Sequence, residues 1–330
     1  MLVILGDLHL RSDKDYFIKT CEAFLDWFRD WEYNSPENVL ILAGDLVEQA
    51  APGGLTISFL EQLVKDSKFE AIHICVGNHD NKKINGINQL AYEFLEHKSN
   101  VKIYRTAREV LIQNKKVLML PYFLGVNDLG LTMKEYYSNI SENKRFSNDY
   151  DLVVGHFSGD DVFFSTSPDC VSNLDKLSGR VCLGHIHTRE TNPYRYIGSV
   201  FAGKKNENDN TRAAWILSED GKWSEDRLPL FNEFISVVYP NTLPKSNAKV
   251  PIYTVLNCNS EASAKQKYGN IYIRKVTSNL NEISNKGDYD IERSFNAIKE
   301  FDIKALFEEY LKSRPTPLKV KIAEKCRSMI

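Results

Sequence analysis

Five short apolar runs constrain this chain more than any other feature. "MLVIL" leads to Gly6-Asp7-Leu8-His9, "NVLILA" to Gly44-Asp45, and "AIHICV" to Gly77-Asn78-His79-Asp80. "YDLVV" leads to Gly155-His156, and "RVCL" to Gly184-His185-Ile186-His187. Each run has the length of a strand and is rich in Val, Ile and Leu, the composition of strands buried on both faces. Each ends at a glycine, where the backbone can turn sharply or approach a ligand closely, and then at a side chain of metal-ligand type. Singly these endings are ordinary: Asn and Asp form turns, and "NHDN" alone reads as a loop. Five in order, each after a buried-strand run, are hard to obtain by accident.

Helical patterns separate the early runs. In "YFIKTCEAFLDWFRDW" Phe17, Cys21, Phe24, Phe28 and Trp31 recur at helical spacing, and in "GINQLAYEFLEH" Ile87, Leu90, Ala91 and Phe94 do the same. Strands alternating with helices predict a layered α/β fold with its functional groups on loops at the C-terminal strand ends. Beyond about residue 228 the texture changes: "EFISVVYPNTLPKSNAKVPIYTVLNC" and "GNIYIRKV" are β-rich and lack the glycine-ligand endings. The stretch "SNLNEISNKGDYD" is polar and loop-like. A helical stripe of Ile303, Leu306, Phe307 and Tyr310 follows, ended by Pro315 and Pro317. The final "LKVKI" alternates like a strand, while Leu318, Ile322, Cys326 and Met329 fit a helix. The predicted domains are therefore 1–228, 229–285 and 286–330.

Length and composition set outer limits. A chain of 330 residues suggests two or three units, and 42% hydrophobic with 26% charged residues is ordinary for a globular protein. No apolar run is long enough for a bilayer, and "MLVILGD" reads as a strand rather than a signal peptide. Six scattered cysteines without a CxxC pair fit a reducing cytoplasm, with Cys75 and Cys182 as buried thiols. The net charge of −2 gives no support to a generally basic nucleic-acid binder, although positive charge can be confined to one face.

The strand-end residues Asp7, His9, Asp45, Asn78, His156, His185 and His187 form a mixed nitrogen and oxygen set without thiolate. Such sets suit Mn²⁺, Fe²⁺ or Zn²⁺. Seven ligands exceed one tetrahedral ion and suit two ions sharing a carboxylate. Two ions about 3.5–4 Å apart can activate water and neutralise phosphate oxygens during in-line displacement.

In type and order these motifs match the calcineurin-like metallophosphoesterase signature, over roughly the first two hundred residues. The resemblance implies a β-sandwich flanked by helices, with one ion on Asp7, His9, Asp45 and His187. The other ion would lie on Asp45, Asn78, His156 and His185. It casts His79 as the group that protonates the leaving oxygen or steadies the phosphoryl oxygens, and Asp80 as the carboxylate that orients it.

Within that superfamily the chain most resembles the SbcD-type nuclease subunit (the meiotic-recombination-eleven class), in the compact form found in T-even-like phages. "GHIHTRETNPYRYIGSV", "NENDNTRAAWIL" and "ALFEEYLKS" carry the likeness. It implies a manganese-dependent DNA exonuclease or endonuclease for recombination, repair and replication, a homodimer working with an SbcC-type SMC-like ATPase. It also implies a β-rich cap over DNA, a C-terminal helix gripping the ATPase through Leu306, Phe307 and Tyr310, and a location in the cytoplasm, that of the host if phage-encoded. Glu48 stands where many cellular members carry a histidine, and Arg11 where the first motif usually has glycine. Arg11, Lys82 and Lys83, with Lys204 and Lys205, are candidate contacts to a DNA backbone. Two other readings fit the same ligands: a small-molecule phosphodiesterase or protein phosphatase of the superfamily, and a subunit acting chiefly as a structural clamp for the ATPase.

Overall fold

A computed structural model describes residues 1–84, 87–127, 129–142, 146–147, 149–160, 169–189, 194–208 and 212–278. The predicted segment 286–330, with Leu306, Phe307 and Tyr310, lies outside the described residues. The chain divides into two compact units. The first takes 1–237, 243–254 and 270–274; the second takes 238–242, 255–269 and, of the described residues, 275–278.

In chain order the elements begin with β1 (Leu2–Leu5), α1 (Asp15–Asp30), β2 (Val39–Ala43), α2 (Gly54–Asp66) and β3 (Ala71–Cys75). There follow β4 (Asn81–Ile84), β5 (Ile87–Leu90), β6 (Val101–Tyr104), β7 (Arg108–Ile112), β8 (Lys115–Leu120) and α3 (Met133–Ser138). Next come β9 (Leu152–His156), β10 (Ser158–Gly159), β11 (Cys170–Val171), β12 (Val181–Gly184), β13 (Arg195–Tyr196), β14 (Ala213–Leu217) and β15 (Trp223–Arg227). The last are β16 (Asn232–Val238), β17 (Val250–Leu256), α4 (Glu261–Tyr268) and β18 (Tyr272–Thr277).

Two sheets build the first unit, in the orders β15-β14-β1-β2-β3-β6 and β13-β12-β9-β8-β7. Their packing explains why the five runs are apolar at every position. Leu2 and Ile4 of β1 and Val39 and Ile41 of β2 meet Val117, Met119, Leu152 and Val154 of the other sheet in one buried cluster. The alternate residues Val3, Leu5, Leu40 and Leu42 face Phe24 and Phe28 of α1 and Leu60 and Leu63 of α2. On the far side Leu118, Leu120, Val153 and Leu183 meet Met133 and Tyr137 of α3. A strand covered on both faces cannot alternate with polar residues, so it reads as a continuous apolar run. The result is a mixed α/β sandwich with helices outside both sheets, consistent with a metallophosphoesterase fold.

The helix expected at 16–31 is α1, with Phe17, Cys21, Phe24 and Phe28 on its buried face. The helical reading of 86–97 is corrected. Residues 87–90 form β5, paired antiparallel with β4 through Asn81↔Leu90 and Lys82↔Gln89, and only Glu93–His97 turns helically, as a 3₁₀ segment. The Asn-Gly dipeptide at 85–86 is a strong hairpin signal that outweighs a short apolar stripe. Within the β-rich region, β16, β17 and β18 form a three-stranded sheet in that order. Phe234, Val250 and Ile252, all in the first unit, pack on Phe17 and Ala202. In the second unit the Ser260 hydroxyl caps α4, accepting from the Ser263 amide at 3.1 Å, and the rings of Tyr239 and Tyr268 meet edge to face. Cys21, Cys75, Cys182 and Cys258 are buried free thiols. No helix among these residues is long and apolar enough to cross a membrane.

Candidate metal centre

The parallel strands β1, β2 and β3 of one sheet and β9 and β12 of the other end on the same side, and the loops beyond them carry the polar residues. The loops after β1 and β2 run side by side through Asp7 N–H to Gly44 C=O at 3.0 Å and His9 N–H to Asp45 C=O at 2.9 Å. The two sheets are tied at this edge by His156, whose Nδ1 is 2.8 Å from the Ala43 carbonyl oxygen. Such tight convergence imposes unusual backbone. Asp7, His9, Asp45 and His185 have φ of 51°, 44°, 49° and 82°, a region non-glycine residues rarely adopt and one that recurs at functional sites. Gly44 (φ +88°) and Gly77 are required by proximity: a Cβ would lie 2.1 Å from His156 Nδ1 and 2.2 Å from Asp45 Oδ1, respectively.

The seven expected donors fall into two groups sharing Asp45. In the first, His9 Nε2 and His187 Nε2 are 2.9 Å apart, with Asp45 Oδ2 at 3.7 Å and Asp7 Oδ1 at 3.9 Å from His9 Nε2. In the second, Asn78 Oδ1 is 3.0 Å from His156 Nε2 and 2.9 Å from His185 Nδ1, and His156 Nε2 is 3.2 Å from Asp45 Oδ2. Donors bound to an ion at about 2.0–2.2 Å lie roughly 3–4 Å from one another, so both groups have the right spread.

The contacts of the ring nitrogens mark where a cation could be held. His9 Nδ1 is 3.1 Å from Glu48 Oε2, and His187 Nδ1 is 3.0 Å from Glu207 Oε1. The Nδ1–H of His187 directed at Glu207 turns its Nε2 inward, toward Nε2 of His9, whose own Nδ1 lies close to Glu48 without a hydrogen bond. At His156, Nδ1–H donated to Ala43 leaves Nε2 facing two oxygen acceptors. Each such contact is closed by a proton whose owner depends on the tautomer, and a divalent ion could take its place. Burial disfavours charge on His156, but Asp45 and Asp7 outweigh it and push its pKa up to about 10. Burial likewise opposes a charged Asp45, and His156 and His9 overcome it and hold the carboxyl below the usual range. Divalent ions would supply the charge in place of the protons.

A family model described as calcineurin-like phosphoesterase matches residues 1–189, more than half of the chain and the whole span of these ligands. The chain belongs to the calcineurin-like phosphoesterase family. It is a metal-dependent phosphoester hydrolase, and Asp7, His9, Asp45, Asn78, His156, His185 and His187 of this phosphoesterase fit two divalent ions. No curated protein matches it significantly. One similar solved structure is a protein of unknown function from Aquifex aeolicus, at 15% identity and a TM-score of 0.29, over 52% of this chain and 88% of that one.

His79 sits beside the first donor group. Its ring is edge-on to His9 with centroids 4.9 Å apart, its backbone N–H donates to Asp45 Oδ1 at 2.8 Å, and its Nδ1 is 2.8 Å from the Glu48 carbonyl oxygen. Asp80 makes no such contact, contrary to the orienting role expected for it. Fully buried, its carboxylate accepts from the amides of Leu46 (2.9 Å), Val47 (3.3 Å) and Gly77 (2.8 Å) and from the Tyr92 hydroxyl (2.8 Å). Four donors around an acceptor-only group stabilise its ionised form, although burial and the Asp45 charge push its pKa up. The main chain turns right after His79, so the two neighbouring side chains point to different partners, and Asp80 ties the second motif loop to the third.

The basic candidates have separate surroundings. Arg11 forks onto Asp13 at 2.6 and 2.9 Å, reaches Glu48 at 3.3 Å and lies over the Phe17 ring at 4.0 Å, so a phosphate would compete with these partners. Lys82 is exposed on β4; the side chain of Lys83 lies outside the described residues. Lys205 donates to the Ser236 hydroxyl at 2.9 Å, and Lys204 Nζ is 3.8 Å from Glu207.

Glu207 and Arg212 escaped the sequence reading. Glu207 also accepts from the Gly203 amide at 2.7 Å, and Arg212 donates to the Glu207 carbonyl at 2.9 Å and to the Ser199 carbonyl at 2.7 Å. Their only sequence signal is a charged pair inside a motif otherwise judged by its apolar residues.

Proposed function

We propose that this phosphoesterase is a manganese-dependent DNA nuclease, the cleaving subunit of a complex with an SMC-like ATPase. The observation that carries the hydrolytic part is the convergence of seven donors into two groups around Asp45. The DNA substrate and the partner rest on the sequence likeness that continues past the last ligand motif, through "YRYIGSV" and the C-terminal helical stripe. In this reading 229–285 caps the DNA, 286–330 docks the ATPase through Leu306, Phe307 and Tyr310, and the subunit works as a homodimer.

Bound ions would activate water and neutralise phosphoryl oxygens. The protein's own residues do the rest. Asp45 joins both donor groups and, through the His79 amide, fixes the start of the third motif loop. With its Nδ1–H accepted by the Glu48 carbonyl, His79 in its imidazolium form would give the Nε2 proton to the leaving oxygen and remain as the neutral Nδ1–H ring. Asp80 holds both loops at this distance.

The test is degradation of an end-labelled linear duplex by the purified full-length chain with Mn²⁺, with Mg²⁺ and with chelator. Manganese-dependent release of nucleotides is expected. No cleavage of DNA, alone or with the ATPase, together with turnover of small phosphodiesters, would move the substrate to the other members of the superfamily.

A further inference from the structure

The two donor groups resemble each other in what faces inward and differ in what stands behind. Behind the first are two carboxylates, Glu48 Oε2 at 3.1 Å from His9 Nδ1 and Glu207 Oε1 at 3.0 Å from His187 Nδ1. Behind the second, His156 Nδ1 meets the neutral carbonyl of Ala43, and His185 Nδ1 faces Asn78 within the group itself. Around the first position stand Asp7, the shared Asp45, Glu48 and Glu207; the second has the shared Asp45, with Asp7 also close to His156, beside neutral donors and with no further carboxylate behind its rings. Glu207, accepting Nδ1–H of His187, fixes that ring's tautomer and orientation and makes its Nε2 a better donor, whereas Glu48, close to His9 Nδ1 without a hydrogen bond, adds negative charge behind the ring.

We propose that Glu48 and Glu207 make the two ion positions unequal, so that the His9–His187 position binds its ion first and more tightly while the Asn78–His156–His185 position exchanges. This rests on the two-metal reading of the site and not on the identity of the phosphoester.

The carboxylates are not equivalent. The Glu207 side chain is 6% exposed, and its nearest cation, Lys204, is 61% exposed and screened by water. The Glu48 side chain is 29% exposed and shares its charge with Arg11. Glu207 therefore acts on its histidine more strongly. Glu207→Gln has a further consequence. With the amide oxygen kept on the Gly203 N–H, the amide NH₂ would face His187 Nδ1 and drive the imidazole proton onto Nε2, the nitrogen that must bind the ion. Glu48→Gln leaves the backbone carbonyl that holds His79 in place, so its effect reports on the side chain alone.

The experiment is calorimetric titration of Mn²⁺ into metal-stripped full-length chain, with free Mn²⁺ followed in parallel by electron paramagnetic resonance and no phosphoester present. Wild type should show two binding steps. Glu207→Gln should weaken the tight step about 10–100-fold and Glu48→Gln by less, both leaving the weak step unmoved. Asn78→Ala should abolish the weak step and spare the tight one. A single class of sites in wild type, an unmoved tight step in both Gln variants, or loss of the tight step in Asn78→Ala would overturn the proposal. Should Glu207→Gln fail to fold by circular dichroism, the part-exposed Glu48→Gln decides alone. Failure of the nuclease reading would appear in DNA cleavage and leave these binding steps as they are.

Discussion

Replacing Asp80 separates two roles that look alike in the sequence. Its carboxylate takes four buried hydrogen bonds, three from loop amides and one from Tyr92. Asp80→Ala would strand all four donors. An unsatisfied buried donor costs about 1–3 kcal/mol, and relief of the carboxylate's own desolvation and water entry return part of the sum, which leaves a loss of about 4 kcal/mol. Asp80→Asn is milder. The amide oxygen keeps the amides of Leu46 and Val47, Tyr92 can rotate to accept, and the Gly77 N–H is left facing an NH₂ group, at about 2 kcal/mol. For a unit of this size 1 kcal/mol shifts Tm by roughly 2–4 °C, so Asn should lower Tm by about 4–8 °C and Ala by about twice that. Calorimetric melts of metal-stripped protein read the shift, with turnover measured well below Tm at saturating metal. Asp80→Asn should then retain most of its turnover, because the partner of His79 is the Glu48 carbonyl. An unchanged Tm with a hundredfold drop in turnover would refute this reasoning and return Asp80 to the role of orienting His79.

Other perturbations test the remaining parts. His79→Ala should cut turnover about 10²–10⁴-fold while metal content holds, since the backbone N–H on Asp45 survives; joint loss of metal and activity would show a structural role. Gly44→Ala places a Cβ 2.1 Å from His156 Nδ1 at a φ of +88°, and should destabilise the fold by at least about 2 kcal/mol and lower bound metal per chain, read by mass spectrometry. His73, stacked on Tyr104, has its pKa lowered by burial and by Lys102 from 6.5 to about 4. The unfolded chain therefore binds more protons between these values, and this contribution to stability is present above the unfolded pKa and lost as pH falls toward 4. The loss from neutrality to about pH 5 is about 2 kcal/mol, and His73→Leu should remove that part of the acid slope in denaturant titrations; an unchanged slope would count against it.

The five strands and their ligand-bearing ends were legible because a strand covered on both faces leaves a continuous apolar run, and a glycine marks the close approach that follows it. The helix α1 was legible for the same reason, since the spacing of Phe17, Phe24 and Phe28 is local. The region 86–97 was misread where a turn signal competed with a short apolar stripe, and the hairpin prevailed. Asp80 was misassigned because adjacency in sequence does not place two side chains on one partner. Glu48 was noticed only as a departure, and Glu207 not at all.

By itself, then, the amino-acid order determined which residue types end each strand, and so the donor inventory and the family. Only the tertiary structure decided how those donors are grouped and backed. Asp45 joins the groups because the ends of two different sheets meet at one edge. Glu207 reaches His187 from twenty residues away through a 3₁₀ turn held by Arg212. Ligand identity is written in local chemistry, whereas the charge behind each ligand is set by packing between segments that carry no mark of one another.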